Sequence, residues 1–222
     1  MSISTENFIK TIYKLEQGIG SDTKTGSIAR VLGITNAAAT DMARKLSERK
    51  LIDYEKYQQL KLSSSGRHMA LAIIRKHRLW ETFLHTVLQL SLHEIHREAE
   101  LLEHQTSDFL AERISAFLRN PKFDPHGDPI PESDGKVVHK KNTLLLSQAL
   151  TGNKYRVTRL AGSDKDFFEF CESNGIQLET EVFVQKQYEN TGMTEIHVDG
   201  LTMLLNIQFT TQLYVEPINE KK

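Results

Sequence analysis

A single cysteine in 222 residues, Cys171, leaves no internal disulfide possible and excludes a thiolate-based zinc site. No apolar run approaches the roughly 20 residues that a membrane-spanning helix needs; stretches such as LTMLLNI stop far short. The amino-terminal MSISTENFIKTIYKLEQ has no basic-then-apolar leader, so a soluble, cytoplasmic chain with no membrane partner is expected. Proline is scarce too, and four of the five (Pro121, Pro125, Pro129 and Pro131) fall in NPKFDPHGDPIPESDGK. That segment cannot be continuous helix or central strand, and it reads as a boundary. A dominant sign of charge is also missing, since the formal net charge is −1. The average conceals a gradient: residues 1–73 carry +4, residues 74–140 carry −2 and residues 141–222 carry −3. Positive charge gathered at one end is a modest nucleic-acid signal.

Before the proline segment the apolar spacing is helical. Phe8, Ile9, Ile12, Tyr13 and Leu15 mark a first helix, Ile28, Ala29 and Leu32 a second, and Met42 and Leu46 a third; a long helix follows from about 67 to 90. After it, KYRVTRLA, EVFVQKQY, TEIHVDG, LTMLLNI and QLYVEPI are short, alternating and β-branched, with FFEFCESNG as a helical turn ending at Gly175. Phe167, Phe168 and Phe170 read as core. The expected fold is mainly α with a small β-barrel domain appended.

Within the helical body, SIARVLG forms a short helix, Gly33 makes a tight turn, and Thr35 or Asn36 caps a second helix through Ala37–Arg49. LIDYEKY and QQLKLS can then pair as a hairpin before helix resumes at Ser63 to Gly66. Helix, turn, helix and wing together make a module that reads double-stranded DNA. Three consecutive alanines beginning at Ala37 keep the second helix slim enough for a major groove. Asn36, Thr40, Asp41, Arg44 and Lys45 supply base- and phosphate-directed groups, and Arg49, Lys56 and Lys61 extend the cationic set along helix and wing.

Residues 75 to 104, RKHRLWETFLHTVLQLSLHEIHREAELLEH, concentrate His77, Glu81, His96, Glu100, Glu103 and His104. At about 100° per residue, Glu100, Glu103, His104 and His96 share one helical face, and His77 and Glu81 form an i, i+4 pair. Ile95, Ala99, Leu102, Phe109, Leu110, Ile114 and Phe117 make an apolar stripe beside that face, so the carboxylates lie at the edge of the buried surface. There they need a cation to offset desolvation and mutual repulsion. Carboxylate and imidazole without thiol suit manganese(II) or iron(II). A helical carboxylate metalloenzyme is the rival reading, but its paired Glu-x-x-His spacing and HExxH are both absent. No catalytic residue is expected.

TENFIKTIYKLE, IARVLGITNAAATDMARKL, YEKYQQLKLSSSGRHMA, IRKHRLWETFL, IHREAELLEH and PHGDPIP, in that order, resemble the diphtheria-toxin-repressor family of metal-dependent transcriptional regulators. The resemblance implies a winged helix-turn-helix domain over 1–73, a metal-binding and dimerisation domain over 74–140, and an SH3-like domain over 141–222. It implies a homodimer that binds operator DNA and represses metal-uptake genes. By the same resemblance, the primary metal site would fall on Asn7, Glu100, Glu103 and His104, with His77 close by. A second site would use either His77, Glu81 and His96, or Glu81, Asp124, His126 and Asp164. The third domain is then either a lid donating Asp164 or a folded appendage. Iron-type members carry Met and Cys at positions 7 and 100, and manganese-type members Asp and Glu; Asn7 with Glu100 leans towards manganese. Asn7 also has a simpler reading as a helix cap. Lys10 replaces an acidic residue with which some manganese members hold a further ion, and Asp124 stands where Cys is common. A winged-helix regulator sensing a non-metal signal is the remaining alternative.

Overall fold

Ser2 starts the first helix, its hydroxyl accepting from the Thr5 N–H at 3.4 Å and so filling one of the orphan donors of the first turn. Helix α1 runs Ile3–Gln17 and buries Phe8, Ile9 and Ile12. The computed structural model describes residues 2–18, 22–56, 58–162 and 164–218. Helix α2, Thr25–Leu32, ends where Gly33 takes a left-handed φ of +64° and the Ile34 N–H returns to the Ala29 carbonyl. Thr35 caps α3, Asn36–Glu48, its side chain accepting from Ala38 N at 3.2 Å.

The wing is shorter than the sequence pattern suggests. Strands β1, Ile52–Asp53, and β2, Lys61–Leu62, pair antiparallel with Ile52 opposite Leu62. Helix α4, Ser64–Leu88, follows at once. Its first turn packs so tightly on the wing that a Cβ at Gly66 would stand 2.0 Å from the Leu51 carbonyl oxygen. Helices α5, Leu92–Leu102, and α6, Asp108–Phe117, flank a 3-10 turn over Glu103–Gln105.

The proline segment is a closed turn. Phe123 bridges Pro129, and the Asp124 carboxylate accepts the backbone N–H groups of His126 and Asp128, each at 2.9 Å. Gly127 has a φ of +89°, and a Cβ there would meet the Thr158 carbonyl at 2.2 Å.

Beyond it come β3 (Leu144–Leu145), β4 (Lys154–Leu160), α7 (Lys165–Ser173), β5 (Glu181–Tyr188), β6 (Met193–Val198), β7 (Leu201–Leu205), the short α8 (Ile207–Thr210) and β8 (Leu213–Pro217). They build a six-stranded antiparallel sheet ordered β3-β8-β4-β5-β6-β7. Phe167 and Phe168 are buried in its core with Val157, Val184, Ile196 and Val215, as expected for core aromatics. Cys171 is in the same core, where burial pushes its thiol pKa up to about 12.

The residues fall into two compact units. One comprises Met1–Trp80, Ala99–Phe117 and Pro131–Val137; the other comprises Glu81–Glu98, Leu118–Ile130 and Val138–Lys222. The stretch 74–140 is thus divided between them. Phe8, Ile12, Ile28, Ala39, Leu46 and Leu60 lie in the core of the first unit.

Candidate metal centre

Helix α1 turns Glu6 and Lys10 towards the segment that carries Glu100, Glu103 and His104. Residues three and four apart share a helix face, and here Glu6 and Lys10 both reach that segment. Glu100, Glu103 and His104 each offer a donor atom within 4.8 Å of the others. Glu103 is 1% exposed. Two carboxylates so placed repel, and the Lys10 ammonium sits between them, 2.6 Å from Glu100 Oε2 and 2.7 Å from both Glu103 oxygens. Burial pushes the Glu100 carboxyl up, but the Lys10 charge and hydrogen bond outweigh it and hold Glu100 below the ordinary carboxylate range. His77 donates or accepts through Nδ1 at 2.6 Å from Glu103 Oε2.

His104 is oriented by a carboxylate that the sequence reading did not single out. Its Nδ1 lies 2.6 Å from Glu6 Oε2; Glu6 can only accept when ionised, so this contact places a proton on Nδ1, and in the neutral ring that leaves the lone pair on Nε2. That Nε2 is buried, forms no hydrogen bond, and lies 3.2 Å from Glu103 Oε1. The Asn7 Oδ1 atom is likewise buried without a hydrogen-bond partner. Asn7 is not a helix cap: it lies inside α1, and Ser2 holds the cap. Buried acceptors without donors cost free energy unless a cation satisfies them. A neutral amide oxygen, an imidazole lone pair and two carboxylates are the donors of a hard or borderline dication, and the residues present fit one. The i, i+4 spacing of Glu6 and Lys10 around Asn7 was the available signal for Glu6.

A second acidic group forms within the other unit. Glu81, Asp124 and His126 are all buried and place donor atoms within 4.8 Å of one another. His126 Nε2 lies 3.2 Å from the Leu92 carbonyl, which can only accept, so Nδ1 keeps its lone pair; it lies 3.9 Å from Glu81 Oε2. Burial pushes the His126 pKa down, outweighing the opposing pull of the Glu81 carboxylate, and the neutral ring is the ligating form. His96 Nδ1 contacts Glu81 Oε1 at 3.1 Å. Asp164 does not join this group. It is exposed, and its carboxylate caps α7 by accepting from Phe167 N at 2.9 Å, the work that an Asp beside a helix start commonly does.

On the reading helix, Asn36, Ala37, Asp41, Arg44, Lys45 and Arg49 are exposed, as are Lys56 and Lys61 on the wing. Thr40 is half-buried, and its hydroxyl donates to the Asn36 carbonyl at 2.8 Å. Lys45 pairs with Asp41 at 2.7 Å, fully in solvent, where such a pair yields readily to a phosphate.

Two family models match the chain: "Iron dependent repressor, N-terminal DNA binding domain" over residues 1–60, and "Iron dependent repressor, metal binding and dimerisation domain" over residues 63–132. A solved manganese-dependent transcriptional repressor in complex with manganese is 34% identical, with a TM-score of 0.90 over 96% of this chain and 100% of the other. The diphtheria toxin repressor of Corynebacterium diphtheriae is 30% identical over 183 residues, spanning 82% of this chain and 77% of the relative. The iron-dependent repressor IdeR of Mycobacterium leprae is 34% identical over 128 residues, 58% of this chain and 55% of the relative. With a winged reading head, two carboxylate–imidazole groups and these likenesses, the chain belongs to the diphtheria-toxin-repressor family of metal-dependent transcriptional repressors.

Proposed function

We propose that the chain is a homodimeric repressor of metal-uptake genes that binds operator DNA in response to manganese(II). One observation carries this reading: Asn7 Oδ1 and His104 Nε2 are buried acceptors without hydrogen-bond partners, on two segments also joined by Lys10 with Glu100 and Glu103. Asn7 belongs to the reading head, Glu100 to α5, and Glu103 and His104 to the turn that follows it. A dication held by Asn7, Glu100, Glu103 and His104 supplies positive charge at this joint. Asn7 would then fix the angle of α1, Glu6 would hold His104 in the ligating tautomer, and Glu100 with Glu103 would draw the two segments together. A fixed α1 fixes the reading helix α3 that packs on it.

Two heads dock together only near the spacing of one DNA turn, about 34 Å between half-sites. Selection of that spacing with a coupling of about 1–3 kcal/mol gives roughly 5- to 150-fold tighter operator binding. Leu101, Phe109, Leu110 and Phe117 are exposed large apolar side chains on the first unit, which supports pairing with a second copy. Glu81, Asp124 and His126 are proposed as the second ion site. All-oxygen and imidazole donors with no thiol favour manganese(II) over softer ions, and iron(II) suits the same set. Redox sensing finds no support in Cys171, which is buried and held protonated.

The test is an anisotropy titration of operator DNA, selected from a random pool, against protein stripped by chelator and resupplied with manganese(II) or iron(II). Stripping is expected to weaken specific binding by at least fivefold and manganese to restore it. In the same assay Arg44→Ala should weaken operator binding at least tenfold while the manganese isotherm stays at its wild-type position. Specific binding indifferent to chelator would overturn the reading.

A further inference from the structure

The donors of the first group are not simply awaiting a cation, because one is already tethered among them. An ammonium has three N–H donors. Lys10 directs them at three carboxylate oxygens, Glu100 Oε2 at 2.6 Å and Glu103 Oε1 and Oε2 at 2.7 Å each. The lysine is itself 4% exposed, so this is a built ion pair and not a surface contact. Both oxygens of Glu103 are engaged by it, and Oε2 also meets His77 Nδ1 at 2.6 Å.

We propose that the Lys10 ammonium is the resident cation of the Glu100–Glu103 pair and sets this centre's affinity for a divalent ion by competing for the same oxygens. The inference rests on the metal-centre reading above. Two carboxylates and one ammonium leave a single net negative charge, where the pair alone would present two. A dication meets a half-neutralised site, and its ligation of Glu103 requires oxygens now sheathed in N–H donors. Lysine suits such an exchange: its charge is compact and its four-carbon stem flexible, so it can withdraw towards water when displaced. Asn7 Oδ1 and His104 Nε2 have no such occupant, so the competition is confined to the carboxylates. The same pairing joins α1 to α5 and to the turn that follows it, so the lysine also sustains the joint until an ion takes over.

The experiment titrates the full chain with manganese(II), reading unbound ion by its paramagnetic resonance signal, for wild type, Lys10→Met, Lys10→Gln and His104→Ala. The binding step that His104→Ala removes identifies the centre. Lys10→Met is expected to tighten that step at least tenfold, about 1.4 kcal/mol. Its metal-free melting temperature should fall below wild type, and its rise on adding manganese should exceed wild type's. A step present in Lys10→Met and undetectable in wild type is the same result in its strongest form. Lys10→Gln, which keeps two N–H donors without the charge, should behave likewise and carries the comparison if the methionine variant does not fold. Affinity unchanged or weakened in these variants, with the step still lost in His104→Ala, overturns the role of Lys10 alone. If His104→Ala removes no step from either wild type or Lys10→Met, the metal-centre reading fails, and the lysine inference falls with it.

Discussion

Replacing Glu103 with alanine is expected to abolish manganese-dependent operator binding and to destabilise the metal-free chain by about 3–5 kcal/mol, the usual cost of stripping a buried charge of its partner. Two groups lose a carboxylate contact at once. The Lys10 ammonium loses both Glu103 oxygens and keeps only Glu100 Oε2, whose side chain is 38% exposed; His77 loses its contact at 2.6 Å. A loss of that size is comparable with the whole stability of a small domain, about 5–15 kcal/mol. Glu103→Gln separates the two effects. Its amide keeps an oxygen for Lys10 and lacks the charge a dication needs, so it should unfold nearer the wild-type denaturant midpoint yet remain unresponsive to manganese. Urea unfolding with chelator and operator titration with manganese check both statements. A Glu103→Ala chain that melts like wild type and still answers manganese would remove this residue from the centre.

Gly66→Ala should be the most damaging single methyl in the reading head. The added carbon would stand 2.0 Å from the Leu51 carbonyl oxygen, 3.0 Å from its carbon and 3.3 Å from Leu62 Cδ2. The first two are backbone atoms and cannot rotate aside. Relief requires α4 and the wing to separate, which strains the Ser63 N–H to Leu51 carbonyl bond at 3.0 Å and the pairing of Ile52 with Leu62. Overpacking against a flexible side chain costs about 1–3 kcal/mol, and a rigid obstacle places this substitution at or beyond the upper end. A fall in thermal midpoint together with weaker operator binding is expected. An unshifted midpoint would contradict the tight packing of α4 on the wing.

Much of this architecture was legible from residue pattern because local chemistry and tertiary packing agree. Gly33 ends α2 in a left-handed turn, Thr35 caps α3, and EVFVQKQY occupies β5, Glu181–Tyr188, residue for residue. The long helix was placed at about 67 to 90 and runs Ser64–Leu88. The two-residue β3 escaped because a pair of leucines carries no periodicity. Four prolines correctly forbade helix or central strand in the segment around Asp124, but composition could not show that one carboxylate folds it into a turn by accepting two backbone N–H groups.

Glu100, Glu103 and His104 were legible as a candidate set because a continuous helix would put them on one face; the structure keeps them together although α5 ends at Leu102 and Glu103 and His104 lie on a 3-10 turn. Asp164 was carried over from the likeness, and the local rule that an acidic side chain caps the helix after it accounts for its place. Lys10 was visible as a departure from an acidic pattern. That its ammonium would fill the space between two carboxylates is a tertiary fact, set by how α1 lies against a segment some 90 residues on.

The lone thiol of Cys171, shut inside the sheet core and protonated throughout the neutral range, has a practical consequence. Maleimide and thiol-directed nitroxide reagents, which thiolate attacks, will pass it by. A cysteine introduced at an exposed position of α3 would therefore take a spectroscopic tag on an otherwise silent background. The separation of the two reading heads could then be followed in solution, as the ion is added, without first stripping the chain of its own sulfhydryl.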